Sequence, residues 1–240
     1  MASTLHSIIT GGTGALGSAV VASLLEQGHT CHIPCHKEDE LKRFPFATHE
    51  RVKITLGIDL TDEPSVESFY SKLNAPLWSS IHIAGGFTYG AIESVTKQAF
   101  VAQMQQNALT CFLCCREAVK KMSGGGASAQ SGGRIVNVAA RPALEPRTGA
   151  NMVPYTASKA AVAAITQALA EEVVSRSGGG ILVNAVLPSI MDTPANRAAM
   201  PTADFTKWPK VEQVAATIAF LASLQNTVTR GGLIPVYGAA

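Results

Sequence analysis

Aromatic and charged residues are scarce in this chain of 240 residues. Phe, Trp and Tyr together make up 6%, and Asp, Glu, Lys and Arg 15%, whereas hydrophobic residues reach 47%. The few charges nearly cancel, to a formal net charge of +2, and the basic residues are scattered. A nucleic-acid surface needs a basic patch or stripe, so the sequence argues against a nucleic-acid partner. The apolar content suffices for one substantial core.

Long hydrophobic runs and export signals are also missing. No apolar stretch approaches the roughly 20 residues that span a bilayer. The N-terminus MASTLHSIITGG lacks the basic segment and apolar run of a signal peptide. We therefore expect no membrane partner and a cytoplasmic location.

Cysteine is limited to five residues, at positions 31, 35, 111, 114 and 115. The number is odd, and the last three fall in a predicted helix. A zinc site is one interpretation, but no second Cys/His pair stands at ligand spacing from these cysteines. Cysteine readily behaves as a small core residue. We therefore predict buried free thiols and no metal.

Apolar runs and amphipathic stretches alternate almost from end to end. Continuous apolar strands separated by helices are typical of a parallel sheet with helices on both faces. We predict an α/β fold, a single Rossmann-type domain over residues 1–240 with a doubly wound parallel sheet of about seven strands and a loop at 124–133. The predicted strands are 7–10, 31–34, 52–58, 79–85, 134–140, 181–187 and 232–237. The predicted helices are 15–27, 37–43, 63–73, 97–122, 155–175 and 211–224.

The first predicted strand runs directly into TGGTGALG, residues 10–17. Its glycines permit a tight turn and let a phosphate approach the backbone, and the helix that follows offers free N–H groups to a pyrophosphate. A strand before the glycines and a helix after them is the context that a dinucleotide-binding pattern requires. We predict nucleotide binding by Gly11, Thr13, Gly14, Leu16 and Gly17.

The end of the second predicted strand bears on the choice of cofactor. An acid about 20 residues after the glycine pattern would bind the ribose of NAD and repel the 2′-phosphate of NADP. The sequence there is CHKEDE, residues 35–40, with Cys35 where the acid is expected. A nearby base attracts a phosphate, so the sequence favours NADP(H) over NAD(H). We assign His36 and Lys37 to the cofactor site.

YTASK, residues 155–159, places a tyrosine and a lysine on one face of a predicted helix. This motif, the glycine loop and further segments resemble the short-chain dehydrogenase/reductase family over nearly the whole chain. The resemblance implies an NAD(P)-dependent oxidoreductase that acts on a small molecule, as a homotetramer or homodimer. The further segments are DLTD (59–62), IAGG (83–86), Asn107, RIVNVAA (134–140), NAVLPSIMDTP (184–194) and GGLIPVYG (231–238).

The same resemblance implies a role for each matching residue. Tyr155 would be the general acid of a reduction, Lys159 would bind the nicotinamide ribose and lower the tyrosine pKa, and Asn107 would hold a water of the proton relay. The ordinary tyrosine pKa of about 10 is too high for exchange near neutrality, so a positive neighbour is chemically required. The other implied cofactor contacts are Asp59, Leu60, Ala84, Gly85, Pro188, Ile190 and Thr193.

A serine that the family carries at the end of the fifth strand is absent, and Ala140 occupies its position. That serine hydrogen-bonds the substrate carbonyl. Thr148 or Ser189 could supply a replacement hydroxyl, and Arg141 or Arg147 could contact an anionic or heterocyclic substrate. Loss of one oxyanion donor costs about 10²–10³ in rate. A quinonoid ring, which accepts hydride readily, would tolerate that loss better than a ketone.

We expect segment 189–209 to form a substrate lid. Together with the missing serine, this segment is similar to dihydropteridine reductase, a branch of the family that would carry an acid near Cys35, prefer NADH and lack Asn107. Three functions stay open: reduction of a carbonyl or conjugated ring, a dihydropteridine reductase-like activity, and an NADP-binding sensor without turnover. The expected substrate contacts, of which the last three could instead pack on the body, are Phe87, Met191, Phe205 and Trp208.

Overall fold

The computed structural model describes residues 4–123, 132–177 and 180–239, with backbone alone for 175–177. Strands and helices alternate along these residues. The strands are β1 His6–Thr10, β2 Thr30–Pro34, β3 Val52–Thr55, β4 Leu77–His82, β5 Gly133–Val138, β6 Ile181–Pro188 and β7 Leu233–Val236. The α-helices are α1 Ala15–Glu26, α2 Glu63–Ser71, α3 Lys97–Gln103, α4 Thr110–Ser123, α5 Val153–Ser177, α6 Pro194–Ala199 and α7 Val211–Ala222.

The seven strands form one parallel sheet in the order β3-β2-β1-β4-β5-β6-β7. Every residue of β4, β5 and β6 is buried, which agrees with their continuous apolar character. The strand order reverses between β1 and β4, and open α/β sheets bind ligands at the carboxyl ends of the strands beside such a switch point. The predicted doubly wound parallel fold is confirmed.

Helices cover both faces of the sheet and bury two apolar layers. One layer packs α1 and α7 against the sheet, and the other packs α2, α4 and α5. Ile8 and Ile9, successive residues of β1, point into opposite layers, as alternation along a strand requires. All five cysteines are free and buried, as predicted. Within the described residues, no helix is long and apolar enough to cross a membrane.

Three predicted elements differ in detail. The helix predicted at 97–122 is continuous but changes to π-helical turns over Met104–Leu109, a feature that is frequent at functional sites. The helix predicted at 37–43 is a 3₁₀ helix over Glu38–Arg43. The third strand ends at Thr55, two residues before Gly57, whose φ of +75° breaks the extended backbone. Residues 124–131 of the predicted loop lie outside the described part of the chain.

Candidate active site

The loop between β1 and α1 forms a cradle whose conformation requires glycine. Gly11 has a φ of +66°, and a Cβ atom there would lie 2.8 Å from the backbone nitrogen of Ala84. A Cβ at Gly17 would overlap the carbonyl oxygen of Gly11. Helix α1 begins after Gly14 without a side-chain cap, while Leu16 anchors it in the core. Uncapped N–H groups at a helix N-terminus bind anions, so this loop fits a pyrophosphate.

A carboxylate that sequence reasoning did not select lies beside this cradle. Glu40 accepts hydrogen bonds from the hydroxyl of Thr13 at 3.2 Å and from the backbone N–H groups of His36 at 3.0 Å and Lys37 at 2.9 Å. The side chains of His36 and Lys37 are exposed. An acid in the first turn of a helix typically bonds the N-terminal amides, and that spacing was the available signal for Glu40.

The ends of β1 and β4 meet beside the glycine loop. The backbone N–H of Ala84 donates to the hydroxyl of Thr10 at 3.3 Å. A Cβ atom at Gly85 would overlap Oδ1 of Asn107, so the backbone passes directly against that side chain. After β3, the Asp59 carboxylate accepts hydrogen bonds from the backbone and hydroxyl of Thr61, and these bonds lower the pKa of Asp59. Leu60, the next predicted cofactor contact, packs against the core.

Tyr155 and Lys159 lie one turn apart on α5. The Lys159 ammonium donates to the carbonyl oxygen of Val138 at 2.8 Å and lies 6.0 Å from the centre of the Tyr155 ring. An ammonium has three donors, so this bond leaves two for other acceptors such as ribose hydroxyls. Burial lowers the pKa of Lys159 to about 8, against an opposing effect of Cys111, and raises the pKa of Tyr155 to about 12.

Asn107 connects the loop after β4 to the tyrosine helix. Its Oδ1 accepts from the backbone N–H of Gly86 at 3.0 Å, and its Nδ2 donates to the carbonyl of Gly86 at 3.0 Å. Nδ2 also donates to the hydroxyl of Ser158 at 2.9 Å, and Ser158 donates to the carbonyl of Tyr155 at 2.8 Å. Ser158 therefore acts as a bridge, although it lies inside YTASK and sequence reasoning passed over it.

The hydroxyls predicted to replace the missing serine are engaged elsewhere. Ala140 follows β5 and presents only a methyl group, which is 6% exposed. Thr148 donates to the carbonyl of Glu145 at 2.8 Å, and Ser189 donates to the carbonyl of Tyr237 at 2.7 Å. Each of these two hydroxyls would have to give up a backbone bond before it could donate to a substrate oxygen.

The predicted substrate arginine is also engaged. The Arg141 guanidinium forms an ion pair with Glu145 at 2.8 Å and lies 4.9 Å from the centre of the Tyr237 ring. The charge of Arg141 is therefore already balanced by a carboxylate, which weakens its attraction for an anionic substrate.

Two exposed aromatic residues of the loop after β4, Phe87 and Tyr89, form an aromatic rim, and Phe87 contacts Tyr155. Phe87 meets the Tyr155 ring edge-on, with 5.0 Å between ring centres, and is 61% exposed. Tyr89 is 67% exposed, and its hydroxyl accepts a bond from the side-chain amide of Asn151 at 3.2 Å. Asn151 has a φ of 59°, and its carbonyl accepts the N–H of Gly90 at 2.8 Å. The loop after β4 is thus fastened to the loop after β5.

Segment 189–209 is mostly exposed, and a few of its residues anchor it to the body of the protein. Trp208 is 8% exposed, and Met191 packs on the apolar layer beneath α1 and α7. Thr193 accepts a bond from the backbone N–H of Asn196 and thereby caps α6. The sequence left open whether these side chains pack on the body or line a substrate pocket. Trp208 and Met191 pack on the body. Pro188 is buried at the end of β6, whereas the segment's more accessible predicted residues are Ile190 and Phe205.

Comparison with known proteins agrees with this geometry. The family model described as short chain dehydrogenase matches residues 6–204. This chain belongs to the short-chain dehydrogenase/reductase family. An uncharacterized oxidoreductase, YgfF of Escherichia coli, is 28% identical over 97% of this chain and 98% of its own length. The 3-oxoacyl-[acyl-carrier-protein] reductase FabG of Rickettsia felis is 28% identical over 97% of this chain and 95% of its own length.

Solved structures share the fold over its full extent. ElxO with NADP bound superposes with a TM-score of 0.87, at 24% identity, over 98% of both chains. A variant of actinorhodin polyketide ketoreductase with NADPH gives a TM-score of 0.84, at 21% identity, over 99% of this chain and 98% of its own. These superpositions, the family assignment and the glycine cradle together confirm the prediction that the chain is an NAD(P)-dependent oxidoreductase.

Proposed function

We propose that this enzyme reduces a conjugated carbonyl or quinonoid ring, with Tyr155 as the general acid. The observation that carries the proposal is the commitment of the nearby hydroxyls. Thr148 and Ser189 donate to backbone carbonyls, and Ala140 has no donor. A substrate whose reduction restores aromaticity or conjugation depends less on a second oxyanion donor than an isolated ketone does.

The described residues supply the proton side of the reaction, and a bound nicotinamide cofactor supplies the hydride. Burial raises the pKa of Tyr155 to about 12, so the phenol is protonated at neutral pH, and the lowering that the sequence led us to expect from Lys159 does not occur in the chain without cofactor. Efficient proton transfer needs a pKa nearer the operating pH, so in this proposal the positive charge of a bound oxidised nicotinamide would supply the lowering. The Lys159 ammonium, 6.0 Å from the ring centre, favours the phenolate that forms when the proton leaves. Asn107 and Ser158 fix the backbone that carries Tyr155.

For the cofactor we propose NADP(H), with NAD(H) also accepted. The exposed Lys37 favours a 2′-phosphate, and two superposable structures contain NADP or NADPH. Glu40 opposes this preference, because its carboxylate is turned toward Thr13 of the cradle and would repel a phosphate nearby. The balance between these two charges sets the preference.

The rim suggests the shape of the substrate. Phe87, which contacts Tyr155, and Tyr89 in the same loop present exposed aromatic surface, and aromatic faces and edges bind flat rings through stacked or edge-on contacts. Arg141, which the sequence suggested for an anionic or heterocyclic substrate, is paired with Glu145. A flat, uncharged ring therefore fits better than an anion, and a quinonoid dihydropteridine is the first acceptor to try.

Tyr155→Phe tests the proposal. We expect turnover of the quinonoid acceptor to fall by about 10²–10⁴, the usual contribution of a general acid, with cofactor affinity almost unchanged. Turnover is followed by NADPH absorbance and affinity by quenching of protein fluorescence. Tyr237→Phe removes another phenolic hydroxyl and serves as the matched control. If Tyr155→Phe retains full turnover, Tyr155 is not the acid and the proposal fails.

A further inference from the structure

A cluster of soft ligand atoms lies inside the protein, on the α4 side of the sheet. Cys111 and Cys115 are one turn apart on α4, and His82 ends β4; they are 5%, 2% and 4% exposed. The sulfur atoms of Cys111 and Cys115 are 4.0 Å apart, and Sγ of Cys115 is 3.5 Å from Nδ1 of His82. One ligand atom from each residue fits in a group that spans no more than 4.8 Å.

We infer that His82, Cys111 and Cys115 bind a zinc ion. Thiolate and imidazole are the ligands that Zn²⁺ prefers, and tetrahedral coordination is its usual geometry in structural sites. Bond lengths of about 2.3 Å to sulfur and about 2.0 Å to nitrogen place two tetrahedral sulfurs about 3.8 Å apart and sulfur about 3.5 Å from nitrogen. The distances of 4.0 Å between the two sulfurs and 3.5 Å from Sγ of Cys115 to His82 are close to these values, and the whole set lies within 4.8 Å, so an ion can enter if the side chains draw together.

Neighbouring groups complete and orient the set. Oδ1 of Asn137 is 2.8 Å from Nδ1 of His82 and 3.5 Å from Sγ of Cys115, which makes it the candidate fourth ligand. Nδ2 of Asn137 bonds the hydroxyl of Thr166 at 2.9 Å, and this contact turns Oδ1 toward the cluster. In the metal-free chain the Nδ1–H of His82 donates to Oδ1 of Asn137, so zinc binding at Nδ1 would move the ring proton to Nε2. The hydroxyl of Ser80, 2.8 Å from Nε2, can then accept a hydrogen bond from that N–H.

Charge balance favours a divalent ion in this buried position. When Zn²⁺ binds, the two thiols release their protons and two Zn–S bonds form. Two thiolates, a neutral imidazole and Zn²⁺ sum to zero, which avoids the cost of a buried net charge.

The position of the site indicates a structural role. The ion would join α4 to β4 and β5 one turn beyond Asn107, the residue that holds the loop after β4 against α5. With four protein ligands the coordination sphere is closed, so the ion would stabilise the fold rather than act on substrate.

The test uses the full chain purified without a metal-affinity tag. Zinc is measured by inductively coupled plasma mass spectrometry, and the metal-depleted protein is titrated with Co²⁺. We expect close to one zinc per chain, and intense tetrahedral cobalt bands with sulfur-to-cobalt charge transfer. Cys111→Ser should lower zinc content by more than about tenfold and remove the charge-transfer band. Cys114→Ser is the matched control, since Cys114 lies on the same helix but contacts Tyr70.

Each outcome decides the inference. Cobalt bands that are lost in Cys111→Ser and kept in Cys114→Ser support the site even if zinc leaves during purification. Bands of equal strength in Cys111→Ser assign the metal to other groups and overturn the inference. A wild-type chain with neither zinc nor cobalt bands shows that these are buried thiols alone. Because the cobalt titration of the wild type is decisive, an unfolded variant does not spoil the test.

Discussion

The two halves of the sheet's carboxyl edge differ in how their polar groups are used. On the cofactor half, α1 begins at the glycine cradle without a side-chain cap, so its N–H groups face outward. On the substrate half, beyond β5 and β6, the hydroxyls of Thr148 and Ser189 are bound to backbone carbonyls. The first half is organised to receive an anion before any ligand arrives. The second half offers few free hydroxyl donors among the described residues, which is why we propose Tyr155 as the source of the proton.

Gly17→Ala should distort the glycine cradle and have the largest effect of these substitutions, a loss of cofactor binding. The new Cβ would overlap the carbonyl of Gly11, and a backbone atom cannot move aside as a flexible side chain can. We expect binding of NADPH and NADH to weaken by about 100-fold or more, from a backbone shift that costs about 3 kcal/mol. Isothermal titration calorimetry measures both affinities. In the control Gly90→Ala, the new Cβ would meet only the Ser94 hydroxyl, at 3.3 Å, so binding that falls equally there would contradict a local effect.

Ala140→Ser tests the substrate half, because it adds a hydroxyl donor where the structure has none. We expect ketone reduction to rise by about 10- to 100-fold, below the 10²–10³ of an evolved donor because nothing orients the new hydroxyl. Quinonoid turnover should change little. Steady-state kcat/KM for a ketone panel measures the change. Ala139→Ser is the control, since Ala139 points into the apolar layer under α4 and α5. Ketone rates that stay flat in Ala140→Ser would mean that the oxyanion is stabilised elsewhere.

Glu40→Gln tests whether the cofactor half contains an opposing charge. Removing the carboxylate beside Thr13 while keeping its shape should tighten NADPH by about three- to tenfold and leave NADH nearly unchanged, since only NADPH carries the 2′-phosphate. Dissociation constants from fluorescence titration give the ratio. Glu38→Gln removes an exposed charge from the same short helix and is the control. An equal gain for both cofactors would place the effect away from the 2′-position.

The cofactor half was also the easier half to predict from sequence. The glycine spacing and the alternation of apolar runs follow from local chemistry, and both the fold and the cradle came out as expected. The substrate half could not be derived in the same way. Whether Thr148 or Ser189 is free to donate depends on which carbonyl each meets after folding, and sequence spacing does not encode that contact.

The acid Glu40 and the proposed zinc ligand His82 were not predicted from sequence, for a related reason. Glu40 lies five residues beyond the position where a ribose-binding acid is expected, and only the turn of the 3₁₀ helix brings it back to Thr13. His82 is far from Cys111 and Cys115 along the chain, so a search for ligand spacing within one segment could not pair them. The parallel sheet places β4 beneath α4 and brings the three together.

Acid should destabilise the amino end of β1 and β2, opposite the glycine cradle, with the smallest of these effects. Burial lowers the pKa of His29 to about 4, and Arg51 and His6 add to this. Because 4 lies below the ordinary value of 6.5, the unfolded chain binds more protons between pH 6.5 and 4, so stability is lost as the pH falls through that window. Above pH 6.5 this histidine contributes no pH dependence.

The measurement is the unfolding temperature of wild type and His29→Gln at pH 7.5 and pH 5. We expect the wild type to lose more than the variant by several degrees, at about 2–4 °C for each kcal/mol in a chain of this size. His36→Gln, which removes an exposed histidine, is the control. His29 also bonds Ser7 at 2.7 Å, so the variant will be less stable at both pH values, and only the difference between the two pH values tests the titration. Parallel losses in all three proteins would assign the acid sensitivity to groups other than His29, such as His32, whose pKa burial also lowers to about 4.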